Sequence, residues 1–389
     1  MPLRLRFSEL WHSICLVKQV MRVTLPVWHV LPQPPFLHAP ENSPQSSRNL
    51  MADFQDEEFV QVIDYLMAHN NGPIAGLLKE SSLPYSNKNK AELRAEIVRG
   101  VKDGDLTKDT LLEWLDSLEG WGNQHIYLYE APEGETKIWK SKTKAKKRLE
   151  AIEALHLFNN HLPLLLPEET TLVSVQWSQT RVRFLWVEKR EYTNRREDLD
   201  LDNDDFEEEQ GEVEDGIVYK AYEEKTQRAV SSFDWNLDSG FAALMIHRLP
   251  SGEKYSREKA EFEMALEDAI HISNFKRVRI SKAIKKIFDS AETLNRQLEE
   301  QTATGGRARL SSASRKKGIK DDTKLTSARA ALGRTSAVSG NFYWLKNDNQ
   351  LERDIRTKLY ASDQRVGIFL QCSESEVQYV LSRIRHYSR

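Results

Sequence analysis

Apolar residues recur at helical spacing through most of residues 53–118. Phe59, Val62, Ile63 and Leu66 share one face of a first helix, and Asp53, Asp56, Glu57 and Glu58 crowd its opening turns, where the helix dipole favours anions. Asn70-Asn71-Gly72-Pro73 stops that helix and starts the next. Leu93, Ile97, Val98 and Val101 predict a third helix from about Lys90 to Val101, and Leu111, Leu112, Leu115 and Leu118 a fourth after Asp109.

The period changes at Gly120-Trp121-Gly122. Residues 125–129 alternate between Pro132 and the glycines, as a strand does, and a basic helix follows over about 141–159. Residues 171–177 and 181–192 predict a hairpin around Ser178-Gln179-Thr180, with a second strand pair at 217–222 and 229–233. Residues 241–249 predict another strand or a short helix. Helix returns over 256–301, broken near Ser273-Asn274. Residues 302–340, rich in Gly, Ser, Ala, Lys and Arg, read as a linker. Beyond it the pattern predicts a strand at 342–345, a helix at 351–360, a strand at 366–371 and a helix at 375–386. The fold class is α+β: a helical N-terminal domain at 51–119, a mixed, mainly antiparallel sheet domain with long helices at 120–301, the basic linker, and a small C-terminal α/β segment at 341–389 that docks on the middle block.

The first fifty residues have two readings. Arg4, Arg6, Lys18 and Arg22 stand among apolar residues with Glu9 as the single acid in that stretch, as in an organelle-targeting peptide, and a Pro/Ser-rich run follows at 32–47. Alternatively Met51 is the natural start, because MADFQDEEFVQVIDYL opens like an ordinary acidic helix terminus. The second is the simpler.

Composition narrows the function. The chain of 389 residues carries 9 Trp, 12 Tyr and 14 Phe, enough aromatic burial to exclude disorder throughout. Its 56 basic and 59 acidic side chains nearly cancel to −3, which excludes a uniformly basic nucleic-acid binder but not a segregated one. Cys15 and Cys372 form no disulfide framework and no thiolate zinc set, so a reducing compartment is expected. No stretch approaches the ~18–20 uncharged apolar residues of a spanning helix. The expectation is a soluble intracellular protein without a membrane partner, in the nucleus of a eukaryote or the cytoplasm or nucleoid of a bacterium.

The sharpest local pattern lies within residues 72–101. A short helix ends at the extended link Leu83-Pro84-Tyr85-Ser86, and a second begins with Lys90-Ala91-Glu92-Leu93. This stretch resembles the SAP motif, a helix–extended–helix module whose relatives bind duplex DNA. The resemblance implies Ser86, Lys88, Lys90 and Arg94 as the contact set. Unpaired amides at a helix N-terminus beside lysines do make an anion site. Asn87 and Asn89 stand where the family usually has glycine. In its order of parts the whole chain is similar to centromere protein N and its relatives, a likeness that transfers no site residues.

Three basic stretches stand out. Lys140, Lys142, Lys144, Lys146, Lys147 and Arg148 lie together without an acid, with Lys140, Lys144, Lys147 and Arg148 near one helical face. Ile280, Ile284, Ile287, Phe288, Ala291, Leu294 and Leu298 form one apolar stripe, so Arg279, Lys282, Lys285 and Lys286 point away from it. The linker holds Arg307, Arg309, Arg315, Lys316, Lys317, Lys320, Lys324, Arg329 and Arg334 against Asp321 and Asp322. One basic face is usually just a solvated face; three in a neutral protein point to DNA or another polyanion. The compensating charge is concentrated, with twelve acids in the nineteen residues from Glu197 to Asp215. That run reads as an acidic loop that could engage protein partners or fold over a basic face. Its calcium-loop spacing lacks the turn glycine, which Asn203 replaces.

An enzyme is the weaker expectation. Asp215 with Glu223, Glu224 and Lys225 has the residue types of a metal-dependent nuclease. His156 and His161 diverge on a helix, and no catalytic or nucleotide-binding glycine motif occurs. Trp121, Trp139, Trp177, Trp186 and Trp235 suit core packing better than base stacking. No cofactor or metal is expected. The leading expectation is a non-enzymatic DNA- or chromatin-associated binding protein. A protein–protein scaffold is the first alternative and a nuclease the second.

Overall fold

A computed structural model describes residues 57–160, 162–163, 166–195, 222–250, 252–314, 316–347 and 350–389. Four helices come first: α1 (Glu57–Ala68), α2 (Asn71–Glu80), α3 (Lys90–Asp103) and α4 (Lys108–Glu119). Their apolar stripes meet in a core of their own, with Val62, Ile63, Leu66, Leu78, Leu93, Ile97, Leu111 and Leu115 buried together. Gly104, at φ 81°, ends α3 in the left-handed conformation, and the Thr107 side chain caps α4 by accepting the Thr110 N–H.

The remaining elements are β1 (Gly122–Glu130), α5 (Glu133–Trp139), α6 (Lys142–Ala151), β2 (Thr171–Trp177), β3 (Arg181–Arg195), β4 (Tyr222–Asn236) and β5 (Phe241–His247), then α7 (Tyr255–Ile270), β6 (Lys276–Arg277) and α8 (Ile280–Asp289). After them come β7 (Thr293–Thr302), β8 (Arg307–Ser311), α9 (Thr323–Ala331), β9 (Thr335–Trp344), β10 (Ile355–Tyr360), β11 (Arg365–Gln371) and α10 (Glu374–Ser388). The strands form one sheet in the order β2-β3-β4-β5-β1-β11-β10-β9-β7-β8, with β6 added on β1. All pairs of strands in it are antiparallel. The fold is α+β, as the sequence predicts.

Helices cover the two faces unequally. On one face Ile126, Leu128, Met245, Phe342, Trp344, Leu359, Val366 and Ile368 are buried beneath α8 and α10, through Ile284, Ile287, Val380 and Leu381 among others. On the other face only the β2-to-β1 half has an apolar core. There Tyr129, Phe184, Trp186, Phe233, Trp235 and Leu244 are buried beneath α5, α6 and α7 through Trp139, Leu149, Phe262 and Leu266. The helical domain is tied on by polar contacts. Arg183 donates to the Gly120 carbonyl at 3.2 Å, and Gln371 donates to the Leu118 carbonyl at 3.0 Å.

Several elements differ from expectation. The segment 302–340 is folded, not a linker: it carries β8, α9 and most of β9. A few apolar side chains suffice to anchor it, with Ile319 fully buried and Leu310 and Leu325 packed on the α8 core. The helix predicted to Gln301 stops at Asp289, and the rest is β7. Leu294 and Leu298 happen to continue the helical stripe, while the buried positions Asn295 and Glu300 are polar and hid the strand. Residues 355–360 are the strand β10, where Leu351, Ile355 and Leu359 mimic a helical period. The C-terminal segment does not dock on a finished sheet; β11 lies between β1 and β10 inside it. The basic helix expected at 141–159 is shorter, α6, and follows a separate helix α5. Residues 1–56 and the acidic run 197–215 lie outside the described residues.

Candidate nucleic-acid interface

Residues 72–101 lie on α2, the connecting link and α3, with Leu83 of the link buried against the helical core. Two of the three expected contact cations, Lys88 and Arg94, are already paired with acids. The Asn89 side chain accepts the Glu92 N–H at 3.0 Å, and the Glu92 carboxylate accepts the Asn89 N–H at 2.6 Å, so a capping box occupies the N-terminus of α3. Lys88 pairs with Glu96 at 2.9 Å, and Arg94 pairs with Asp64. Ser86 and Lys90 are exposed beside them.

The second basic stretch is divided by the break between α5 and α6. Lys140 belongs to the end of α5 and pairs with Asp238 at 2.9 Å. Arg148 lies 3.6 Å from Glu135 and 2.9 Å from the His271 ring. Lys142 and Lys146 lie over the Trp177 and Phe158 rings. Ala145 and Leu149 turn inward, which leaves Lys144 and Lys147 exposed and without an ion-pair partner among the described residues.

The third set is brought together best. Ile280, Ala283, Ile284, Ile287 and Phe288 bury the inner face of α8, and Lys282, Lys285 and Lys286 stand on its exposed face, with Arg279 exposed at its N-cap. Across a cleft of about 810 Å³ these lysines meet Arg334 and Arg389, delivered by the turn into β9 and the end of the chain. Among the described side chains lining the cleft the one carboxylate is that of Glu300, which is held by Arg329 through two hydrogen bonds of 3.0 and 3.1 Å. Arg329 is itself braced over the Phe288 ring at 4.2 Å. Arg389 also reaches Glu130 at 3.5 Å. Lys282, Lys285, Lys286 and Arg334 have no ion-pair partner among the described residues. Sequence reasoning named Arg334 only as a cation of a linker and did not place it opposite α8, because residues 335–340 show no clear alternation that would mark a strand.

The enzymatic alternatives gain little geometry. Asp215 lies outside the described residues, and Glu223, Glu224 and Lys225 are at the start of β4. Among the described residues no group of three or more His, Cys, Asp or Glu could hold a metal ion. Burial pushes the Cys372 thiol up to about 12, far from a reactive thiolate. Trp121, Trp139, Trp186 and Trp235 are buried in the core clusters, and the Trp177 indole donates to the Trp139 carbonyl at 2.7 Å. No helix among the described residues is long and apolar enough to cross a membrane. No protein-family model matches the chain, and no curated protein matches it.

Proposed function

We propose that the protein is a non-enzymatic DNA-binding, chromatin-associated factor, and that the cleft beside α8 engages the phosphate backbone. The observation that carries this reading is the meeting of uncompensated cations from segments distant in sequence. Lys282, Lys285 and Lys286 come from a helix, and Arg334 from a turn some fifty residues later. A solvated basic face needs no such convergence, and it is ordinarily laced with acids of its own. The cleft's carboxylate is already neutralised from within by Arg329. Cations held on a rigid helix release condensed counterions when they meet a phosphate chain, so affinity follows salt and not base sequence.

The test is fluorescence anisotropy with a random-sequence duplex at several salt concentrations. Affinity is expected to fall steeply between about 50 and 200 mM salt, with a log–log slope near −0.9 per phosphate neutralised. Lys282→Glu, Lys285→Glu and Lys286→Glu together are expected to flatten that slope by about 2–3. A parent protein that shows no binding at low salt, or a triple variant with the parent's slope, overturns the reading. The first result would favour a protein–protein scaffold.

A further inference from the structure

Among the described residues the strands β9, β10 and β11 carry an apolar core on only one of their faces, although Ser339 and Asn341 on the other are also buried. Phe342, Trp344, Ile355, Leu359, Val366 and Ile368 point to the α8–α10 core, so the alternate residues point the other way. Those alternate side chains belong to none of the apolar clusters. They include one aromatic ring on each of three neighbouring strands: Tyr343 on β9, Tyr360 on β10 and Phe369 on β11.

Cations are interleaved with these rings. Arg356 lies 5.6 Å from the Phe369 ring, Lys358 4.8 Å from Tyr360, Arg365 4.2 Å from Tyr360, and Arg296 5.5 Å from Tyr343. Arg309, exposed on β8, extends the same face. The acids there are few and already used, with Asp363 paired to Arg365 at 3.0 Å and Glu299 to Arg307 at 3.6 Å. Arg296, Arg309, Arg356 and Lys358 have no acid partner among the described residues. Burial and the neighbouring guanidinium groups of Arg309, Arg365 and Arg356 hold the Lys358 ammonium below its ordinary pKa, with Glu299 opposing.

The surface is also shaped. Gly367 makes room between His125 on β1 and Lys358 on β10 for the Phe369 ring, since a Cβ there would press on that ring at 2.9 Å and on His125 at 3.2 Å. Phe369 therefore lies over the glycine and remains 36% exposed. Beside it, the His125 Nδ1 and Tyr127 hydroxyl are buried without a hydrogen-bond partner.

We propose that this open face of β9, β10 and β11 is a platform for single-stranded nucleic acid, with Tyr343, Tyr360 and Phe369 stacking bases and Arg296, Arg309, Arg356 and Lys358 holding phosphates. Rings on adjacent strands, Phe369 exposed and Tyr343 and Tyr360 half-buried beside it, suit unstacked bases and give nothing to a duplex, whose bases are already stacked. An apolar protein partner would have to desolvate unpaired guanidinium groups, and a second copy of the face would set cation against cation. The platform lies on the reverse of the sheet from the α8 cleft and does not depend on it.

The full chain is to be titrated with labelled oligo-deoxythymidine, oligo-uridine and duplex DNA of about 15–20 nucleotides. Phe369→Ala and Tyr360→Ala are each expected to weaken single-strand binding about tenfold or more, and to leave duplex binding unchanged. Arg356→Ala with Lys358→Ala is expected to reduce the salt dependence. Phe369→Tyr is expected to keep affinity and Phe369→Leu to lose it, which separates a stacking ring from a packing one; thermal melts confirm that each variant is folded. The triple charge reversal on α8 is expected to spare single-strand binding. The proposal is overturned if neither oligonucleotide binds at low salt, if binding survives Phe369→Leu and Tyr360→Ala, or if the face instead drives concentration-dependent self-association of the chain. The deoxythymidine and uridine arms tell whether DNA or RNA is preferred.

Discussion

The Arg228 guanidinium and the Glu119 carboxylate lie 3.1 Å apart, each more than nine-tenths buried, where the last helix of the helical domain meets β4. The Tyr65 ring of α1 lies 6.0 Å from the same guanidinium. Burial pushes the Glu119 carboxyl up to about 8, with Arg228 opposing. Removing one member strands the other without compensation, so Glu119→Ala is expected to cost about 3–5 kcal/mol in urea unfolding. Replacing both, as Glu119→Leu with Arg228→Met, is expected to cost clearly less than the single change. Equal loss in the single and the double variant would show that the two groups are energetically independent.

Acid will weaken the fold through buried imidazoles. His125 is held down to about 3 and His247 to about 4, in each case mainly by burial and then by nearby arginines. A histidine whose folded pKa is depressed stays neutral in the fold while the unfolded chain takes up a proton. Its contribution is therefore present above about 6.5 and is lost as pH falls toward 4, by about 1.4 kcal/mol per pH unit for each histidine. Glu119 acts oppositely: its raised pKa gives a contribution full below 4.5 and lost as pH rises through about 8. Stability is expected to peak near neutrality. His247→Gln will flatten the acid limb of a melting-temperature profile, and an unchanged limb would refute the assignment.

Charge removal at the start of α3 is expected to read out in stability, not in DNA binding. Lys88 and Arg94 each hold an acid of the helical domain. Lys88→Ala and Arg94→Ala are expected to destabilise by about 1 kcal/mol or less, as partly exposed pairs do, and to leave the salt slope of duplex binding unchanged. A slope reduced as much as by the α8 reversals would return the phosphate contacts to this element.

Gly122 is expected to be intolerant. It opens β1 at φ 85° ahead of a register shift against β11, with Asn123 also at positive φ. A Cβ at this position would run into the Leu370 carbonyl and the Cys372 amide. Gly122→Ala is expected to cost about 2 kcal/mol or more, from backbone strain plus the clash. A change below about 0.5 kcal/mol in denaturant unfolding would contradict it.

Much of the architecture was legible. The helices of the N-terminal domain and the strands β1 to β3 follow from clear periods of 3.6 and 2, and their inward residues are apolar; the pair expected at 217–222 and 229–233 is instead, from Tyr222 on, the single strand β4, and of the two readings of 241–249 the strand, β5, holds. The reading failed where a buried strand face is polar. Asn295 and Glu300 of β7 are buried, and Thr357 of β10 is buried between Ile355 and Leu359, so short-range pattern favoured helix. Charge misled in a different way. Basic residues dense enough to suggest a linker lie on β8 and α9, whose few inward side chains carry the packing. The α8 face was legible because its lysines alternate with an unbroken apolar stripe. Arg334 was not, since convergence across a sheet is a property of topology and leaves no local mark. Tyr360 and Phe369 were hidden too, being spaced by strand pairing and not by sequence.

The place of β11 has a consequence for how the protein comes into being. β1 offers one edge to β5 early in the chain; of its other edge β6 takes only Tyr129 and Glu130, and the rest waits for residues 365–371. Until then a nascent or truncated chain exposes a long backbone edge, the kind of surface that invites pairing with the wrong strand. A polypeptide stopped before β11 therefore lacks the strand that joins β1 to β10, and its two half-sheets have no seam.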